Sequence, residues 1–292
     1  MATKQTPLFG GNWTEEKLEM LKKYLVAYAT LMNKQPFRFA YIDAFAGTGE
    51  RQFQHKQETA PLFPELSGKE SREFYDGSAR IALQVKPPFM EYIFIEKDEN
   101  RSIQLAKLRD EFPHLANRIS LFNCDCNSYL QNLSKNYKWA SLRAVLFLDP
   151  FGMQVEWNTM KEIAKTKAID VWILFPLGIA VNRLLKKDGN IDDTWRSRLD
   201  SLFGTGDWYA AFYKEISSRD LFGKTQEIKK VCTLETISNY YIDRLKTIFP
   251  RVAEKPRPLC NSKGNPLFHL CFAAANPRAV AAIKIAKHIL EG

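Results

Sequence analysis

Tyr41-Ile42-Asp43-Ala44-Phe45-Ala46-Gly47-Thr48-Gly49-Glu50 is an apolar run that passes directly into a small-residue turn. From Phe39 to Phe45 apolar residues follow one another without alternation, and Asp43 is the one charge among them. Such a run reads as a strand buried on both faces, as in a parallel sheet covered by helices. Gly47 and Gly49 allow main-chain conformations and close approaches that a side chain would block, so a ligand can reach backbone N–H groups there. One G-x-G is a weak signal by itself. Its force comes from further strand-like runs at Tyr92–Glu96, Ile119–Asp125, Val145–Gly152 and Val171–Pro176. Four of the five runs carry an acid inside or at the C-terminal end: Asp43, Glu96, Asp125 and Asp149. In an open parallel sheet those ends share one edge, where ligands bind.

The segments between the runs read as helices. Leu18, Leu21, Leu25, Tyr28, Ala29 and Met32 recur at helical spacing, with Thr14 as the expected N-cap, and predict an N-terminal helix over 12–35 that Pro36 closes. From Glu50 to Phe74 the periodicity is lost among Pro61, Pro64 and Gly68, which predicts a long loop at the ligand-bearing edge. Asp76 or Ser78 is the expected cap of the next helix, which Pro87-Pro88 stops. Helices are expected from Asn100 to Phe112, Asn127 to Leu133 and Asn158 to Lys165. Residues 178–250 show helical spacing and no convincing strand, so a helical insertion is predicted there, with one helix running from Trp208 to Ile216. Arg257–Asn261 and Leu267–Ala274 flank Lys263-Gly264-Asn265 as a terminal β-hairpin, and a last helix runs from Pro277 to Leu290.

At 292 residues, one α/β domain with an insertion accounts for the chain. Hydrophobic content of 45% beside 26% charge describes a soluble globular protein. No apolar run approaches the roughly 20 residues that span a bilayer, and Met1–Thr6 lead into polar Gly10-Gly11-Asn12 rather than a signal-peptide core, so a cytoplasmic protein is expected. The five cysteines include no C-x-x-C pair, which speaks against a zinc site or a disulfide framework. A net charge of +9 favours polyanionic partners, although the positive residues are scattered. Gly223-Lys224-Thr225 lacks the first glycine and the strand of a P-loop, and no Y-x-x-x-K pair supports nicotinamide chemistry.

With Asp43-Ala44-Phe45-Ala46-Gly47-Thr48-Gly49, Glu96, Asp125 and Asp149-Pro150-Phe151-Gly152 at successive strand ends, the chain resembles class I S-adenosylmethionine-dependent methyltransferases. More narrowly it resembles the three-Cys-motif partner family. That match is carried by Trp13 with Lys17-Leu18 and Tyr24-Leu25, the D-G-S entry to the second helix, D-P-F-G, Asn182-Arg183, Phe203-Gly204 before Trp208, and Leu267-Phe268-His269-Leu270. The resemblance implies a Rossmann-like fold with a mostly parallel seven-stranded sheet, and possession of S-adenosylmethionine as cofactor. It also implies as partner a protein with a three-cysteine, radical-enzyme-like motif, encoded nearby. Two functions stay open: methyl transfer to a nucleic acid or nucleotide-like substrate, or a cofactor-binding scaffold without transfer.

Each motif has a physical reason to serve that cofactor. Asp43 suits an ammonium, while the amides of Ala46, Gly47, Thr48 and Gly49 suit a carboxylate. Glu96 can accept hydrogen bonds from both ribose hydroxyls. Asp125 with the Cys126 amide either reads the adenine edge or caps the helix that follows. Asp149, Pro150 and Phe151 resemble the D-P-P-[YFW] loop that grips and stacks an amine acceptor, with the second proline missing; otherwise Asp149 caps a turn. Asn182 and Arg183, with Lys186, Lys187, Trp195, Arg196, Arg198, Trp208, Tyr209 and Tyr213, form either a basic aromatic substrate wall or ordinary core and solvated helix faces.

Overall fold

The computed structural model describes residues 13–47, 77–220 and 223–292, and of 218–220 and 223–225 the main chain alone. Thr48, Gly49, the loop expected over 50–74 and Asp76 lie outside the described residues. The first half of the chain builds α1 (Trp13–Met32), β1 (Arg38–Asp43), α2 (Ser78–Gln84), β2 (Glu91–Ile95), α3 (Glu99–Ala106), α4 (Leu108–Glu111) and β3 (Ile119–Phe122). Then come α5 (Cys126–Asn136), β4 (Leu142–Leu148), α6 (Trp157–Lys165) and β5 (Ile169–Phe175). A π-helical turn at Leu177–Val181 leads into α7 (Asn182–Leu184), α8 (Asp193–Phe203), α9 (Trp208–Phe212), β6 (Tyr213–Asp220) and β7 (Gly223–Lys230). The chain closes with α10 (Leu234–Lys246), β8 (Arg251–Val252), β9 (Arg257–Cys260), β10 (Pro266–Ala274) and α11 (Val280–Glu291).

The main sheet has the order β3-β2-β1-β4-β5-β10, parallel from β3 to β5 and antiparallel at β10. On the far side of β10, β9 pairs with its first half and β8 with its last residues, so among the described residues the sheet has eight strands where seven were expected. This is an α/β, Rossmann-like arrangement with helices on both faces. Alternation along β1 shows why the apolar run is continuous. Phe39 and Tyr41 pack with Leu21 and Leu25 of α1 and Ala82 of α2, while Ala40 and Ile42 pack with Leu130 of α5 and Ile163 of α6. Each of the buried Leu, Ile and Phe side chains among them contributes about 1.5–3 kcal/mol of burial.

Three sequence expectations are corrected. The helix expected over Asn100–Phe112 divides into α3 and α4 and is followed by a 3₁₀ turn at Pro113–Arg118. Phe112, forced out of the helical region before a proline, adopts φ −121 and ψ 62. Ser78 is the first helical residue of α2 rather than its cap, which is Gly77. The insertion is not all helix: the segment expected as helix to Ile216 leaves helical geometry at Tyr213 and enters the antiparallel β6–β7 hairpin. Ile216 and Ile228 are exposed there, so neither strand displays the one-sided apolar alternation by which a strand is read.

Candidate functional site

The parallel strands β1 to β4 deliver their C-terminal ends to one edge. Asp43 is the last residue of β1, Glu96 follows β2 and Asp149 follows β4. Asp43 is fully buried; its carboxylate accepts from the Tyr41 hydroxyl at 3.1 Å, from the Phe45 amide at 3.2 Å and from Ser78. All three donors are neutral. Loss of water around the charge dominates, and with Asp149 nearby it pushes the Asp43 carboxyl up to about 6, against the pull of the three hydrogen bonds.

Glu96 is bound into the same edge. Its Oε2 accepts from the Gly47 amide at 3.2 Å and its Oε1 from the Asp98 amide at 2.9 Å. The Ala46 amide donates to the Ile95 carbonyl at 3.1 Å, which holds the turn after β1 against the end of β2. Arg101, from the first turn of α3, stands 4.0 Å from Glu96 Oε1 and lies over the Phe151 ring at 5.4 Å. It therefore joins the acid after β2 to the aromatic after β4. Beside this turn a cleft is lined by Gly47, Gly77, Ala79, Arg80, Gln104 and Leu108.

Asp149 is paired with a residue the sequence reading did not place in the site. Lys17 Nζ lies 2.5 Å from Asp149 Oδ2 and is itself buried, 5.3 Å from the Trp13 ring centroid and 6.0 Å from that of Phe147. The chain leaves the C-terminus of α1 and enters the N-terminus of β1 within a few residues, which brings the first turns of α1 over the opposite, acid-bearing edge. Pro150 is buried and Phe151 is exposed at 39%. Their loop is fixed from α5: Asn127 donates to the Gln154 carbonyl at 2.8 Å and accepts from the Glu156 amide, and the Phe151 amide donates to Gln154 Oε1 at 2.9 Å.

Asp125 is the N-cap of α5, with Oδ1 accepting from the Ser128 amide at 3.0 Å. Cys126 is buried, and burial pushes its thiol up to about 12, so it is an inert small residue whose main chain alone is of interest. Asn182 is drawn to the hairpin: Lys230 Nζ donates to its Oδ1 at 2.7 Å and to its carbonyl at 3.3 Å. Arg183 follows it in α7. The expected basic aromatic wall divides. Trp208 and Tyr213 are buried, whereas Arg198 lies over Trp195 at 5.0 Å and Arg196 over Tyr209 at 4.5 Å. Among the described residues there is no cluster of metal-ligating side chains and no helix long and apolar enough to cross a membrane.

The strand order, with β10 antiparallel beside β5, is that of the class I methyltransferase fold. No model of a protein family matches the chain, and no curated protein matches it. Among solved structures it is similar to protein LPL1258 from Legionella pneumophila strain Philadelphia 1, at 17% identity over 79% of this chain and 93% of that one, TM-score 0.37. Magnesium protoporphyrin IX methyltransferase from Synechocystis with bound S-adenosylmethionine is similar at 8% identity over 80% and 87%, TM-score 0.31. A spermidine synthase in complex with a transition-state analogue is similar at 10% identity over 93% and 64%, TM-score 0.36. At those scores the likenesses carry no functional weight, which rests on the geometry of the sheet edge.

Proposed function

We propose that the chain is an S-adenosylmethionine-dependent methyltransferase acting on an amine of a nucleic acid or nucleotide-like substrate. The observation that carries this reading is the pairing of the Gly47 amide with Glu96 Oε2, beside a buried Asp43 whose donors among the described residues are all neutral. The edge thus presents one acid suited to two hydroxyls and one suited to a cation, on either side of the turn that follows β1. In this reading Asp43 and the turn Ala46–Gly49 hold the methionine end of the cofactor and Glu96 holds the ribose. Asp125 with the Cys126 main chain borders the base. When bound, that cofactor supplies a methyl group on a positively charged sulfur, so the protein's share is to hold, orient and desolvate the acceptor. Asp149 would hold the acceptor amine and Phe151, backed by Arg101, would stack on its ring. Asn182 and Arg183 belong to the acceptor side.

Two measurements test this. S-adenosylhomocysteine at about 100 times its Kd should add about 2.7 kcal/mol of stability, a rise of several degrees in Tm for a chain of this size. Asp43→Ala or Glu96→Ala should abolish that rise. No rise in the native protein would overturn the cofactor assignment. A rise without transfer of label to RNA, DNA or nucleotides would favour instead a cofactor-binding partner of a three-cysteine-motif protein.

A further inference from the structure

The Lys17–Asp149 pair is hard to account for as a structural ion pair. Lys17 is buried while the Asp149 side chain keeps 25% of its surface exposed, and an ammonium taken out of water loses more in hydration than one carboxylate returns unless its remaining protons are satisfied, so the pair is a weak source of stability. Among the described residues, Lys17 Nζ meets one carboxylate oxygen at 2.5 Å and the rings of Trp13 and Phe147. An acid beside aromatic faces attracts an ammonium, and its oxygens equally accept hydrogen bonds from the N–H groups of the neutral amine that a methyl acceptor must be. The same carboxylate is the one that, in the function proposed above, holds the acceptor amine. The side chain filling the place beside Asp149 comes from the first turns of α1, outside the succession of strands, on a flexible four-carbon stem.

We propose that Lys17 is a built-in occupant of the acceptor site: its ammonium fills the place beside Asp149 that the substrate amine takes, and substrate entry displaces it. This rests on the methyltransferase reading. Other charged or titratable groups face Asp149 from β1, where Asp43 and Tyr41 lie within electrostatic reach. Neither offers a cation, so among the described residues Lys17 is the group an incoming amine must replace.

The test compares S-adenosylhomocysteine with sinefungin, an analogue that carries a charged amine where the transferable methyl would be. Isothermal titration gives the ratio of the two Kd values for the native protein, Lys17→Met, Lys17→Gln, Lys17→Arg and Asp149→Asn. Removing the occupant should raise the preference for sinefungin on the order of tenfold in both neutral variants. Lys17→Arg should keep the native ratio, and Asp149→Asn should fall below it. A ratio within twofold of native in whichever neutral variant still binds S-adenosylhomocysteine would overturn the proposal and leave the cofactor reading standing. Failure of the native protein to bind either ligand would overturn both.

Discussion

Asp43 illustrates how one residue can be tuned by burial for a partner of opposite charge. Its carboxyl is raised from 3.8 to about 6, so the folded chain favours the protonated form below that pH. A cationic ligand group favours the ionised form. Affinity for S-adenosylhomocysteine, whose amino group is positive, should therefore increase as pH rises from 5 through 6 and level off above 7, approaching tenfold per unit at the acid end. Asp43→Asn should bind weakly with a flat profile; a native profile equally flat over that range, measured by titration calorimetry, would remove Asp43 from the ligand's surroundings. Asp43, Glu96 and Gly47 were all legible in the sequence, because each sits at a fixed offset from the end of its own strand. Lys17 and Arg101 were not, since their roles depend on meeting Asp149 and Phe151 from elements far away in the chain.

At the level of elements, the inserted segment between β5 and β8 is fastened by a few close contacts. Gly204 ends α8 at φ +71, and a Cβ there would run into the Trp157 ring of α6. Gly204→Ala should destabilise the protein by about 2–4 kcal/mol, combining left-handed backbone strain with overpacking. Chemical denaturation checks this, and a loss under 1 kcal/mol would show that Trp157 yields easily. The hairpin is fastened at its base, where the Tyr213 hydroxyl donates to the Lys186 carbonyl and Lys230 reaches Asn182. Beyond that base Lys214, Ile216, Lys229 and Ile228 are exposed. That explains why it escaped the sequence reading: a two-stranded ribbon in water needs no apolar face, so the period of two is not written in its composition. Helices α1, α5, α6 and α10 each bury an apolar stripe, and the same reading placed all four.

For the molecule as a whole, stability near neutral pH should depend on a second buried acid. Asp170, at the start of β5, accepts from the Tyr24 hydroxyl at 2.8 Å, and burial pushes it up to about 7 despite that bond and the nearby Arg143. Because its folded value lies above the unfolded 3.8, its contribution is intact at low pH and is lost as pH rises from about 4 through 7. Calorimetry of the native protein and Asp170→Asn from pH 5 to 8 should show the variant gaining in relative Tm as pH rises; parallel curves would refute the assignment. Asp170 lies at the N-terminal end of β5, away from the acid-bearing edge, and its partner Tyr24 comes from α1, so its neighbours in sequence do not reveal its burial. Outside the inserted segment, the alternation of strands and helices, the two-faced burial of β1 and the acid-bearing edge were determined by the sequence itself, because hydrophobic periodicity and turn chemistry act over a few neighbouring residues. Only the tertiary structure decided that Lys17 occupies Asp149, that Arg101 covers Phe151 and that Asn182 serves Lys230. Those choices arise where crossovers bring distant elements together and each buried charge must take whatever partner stands within reach.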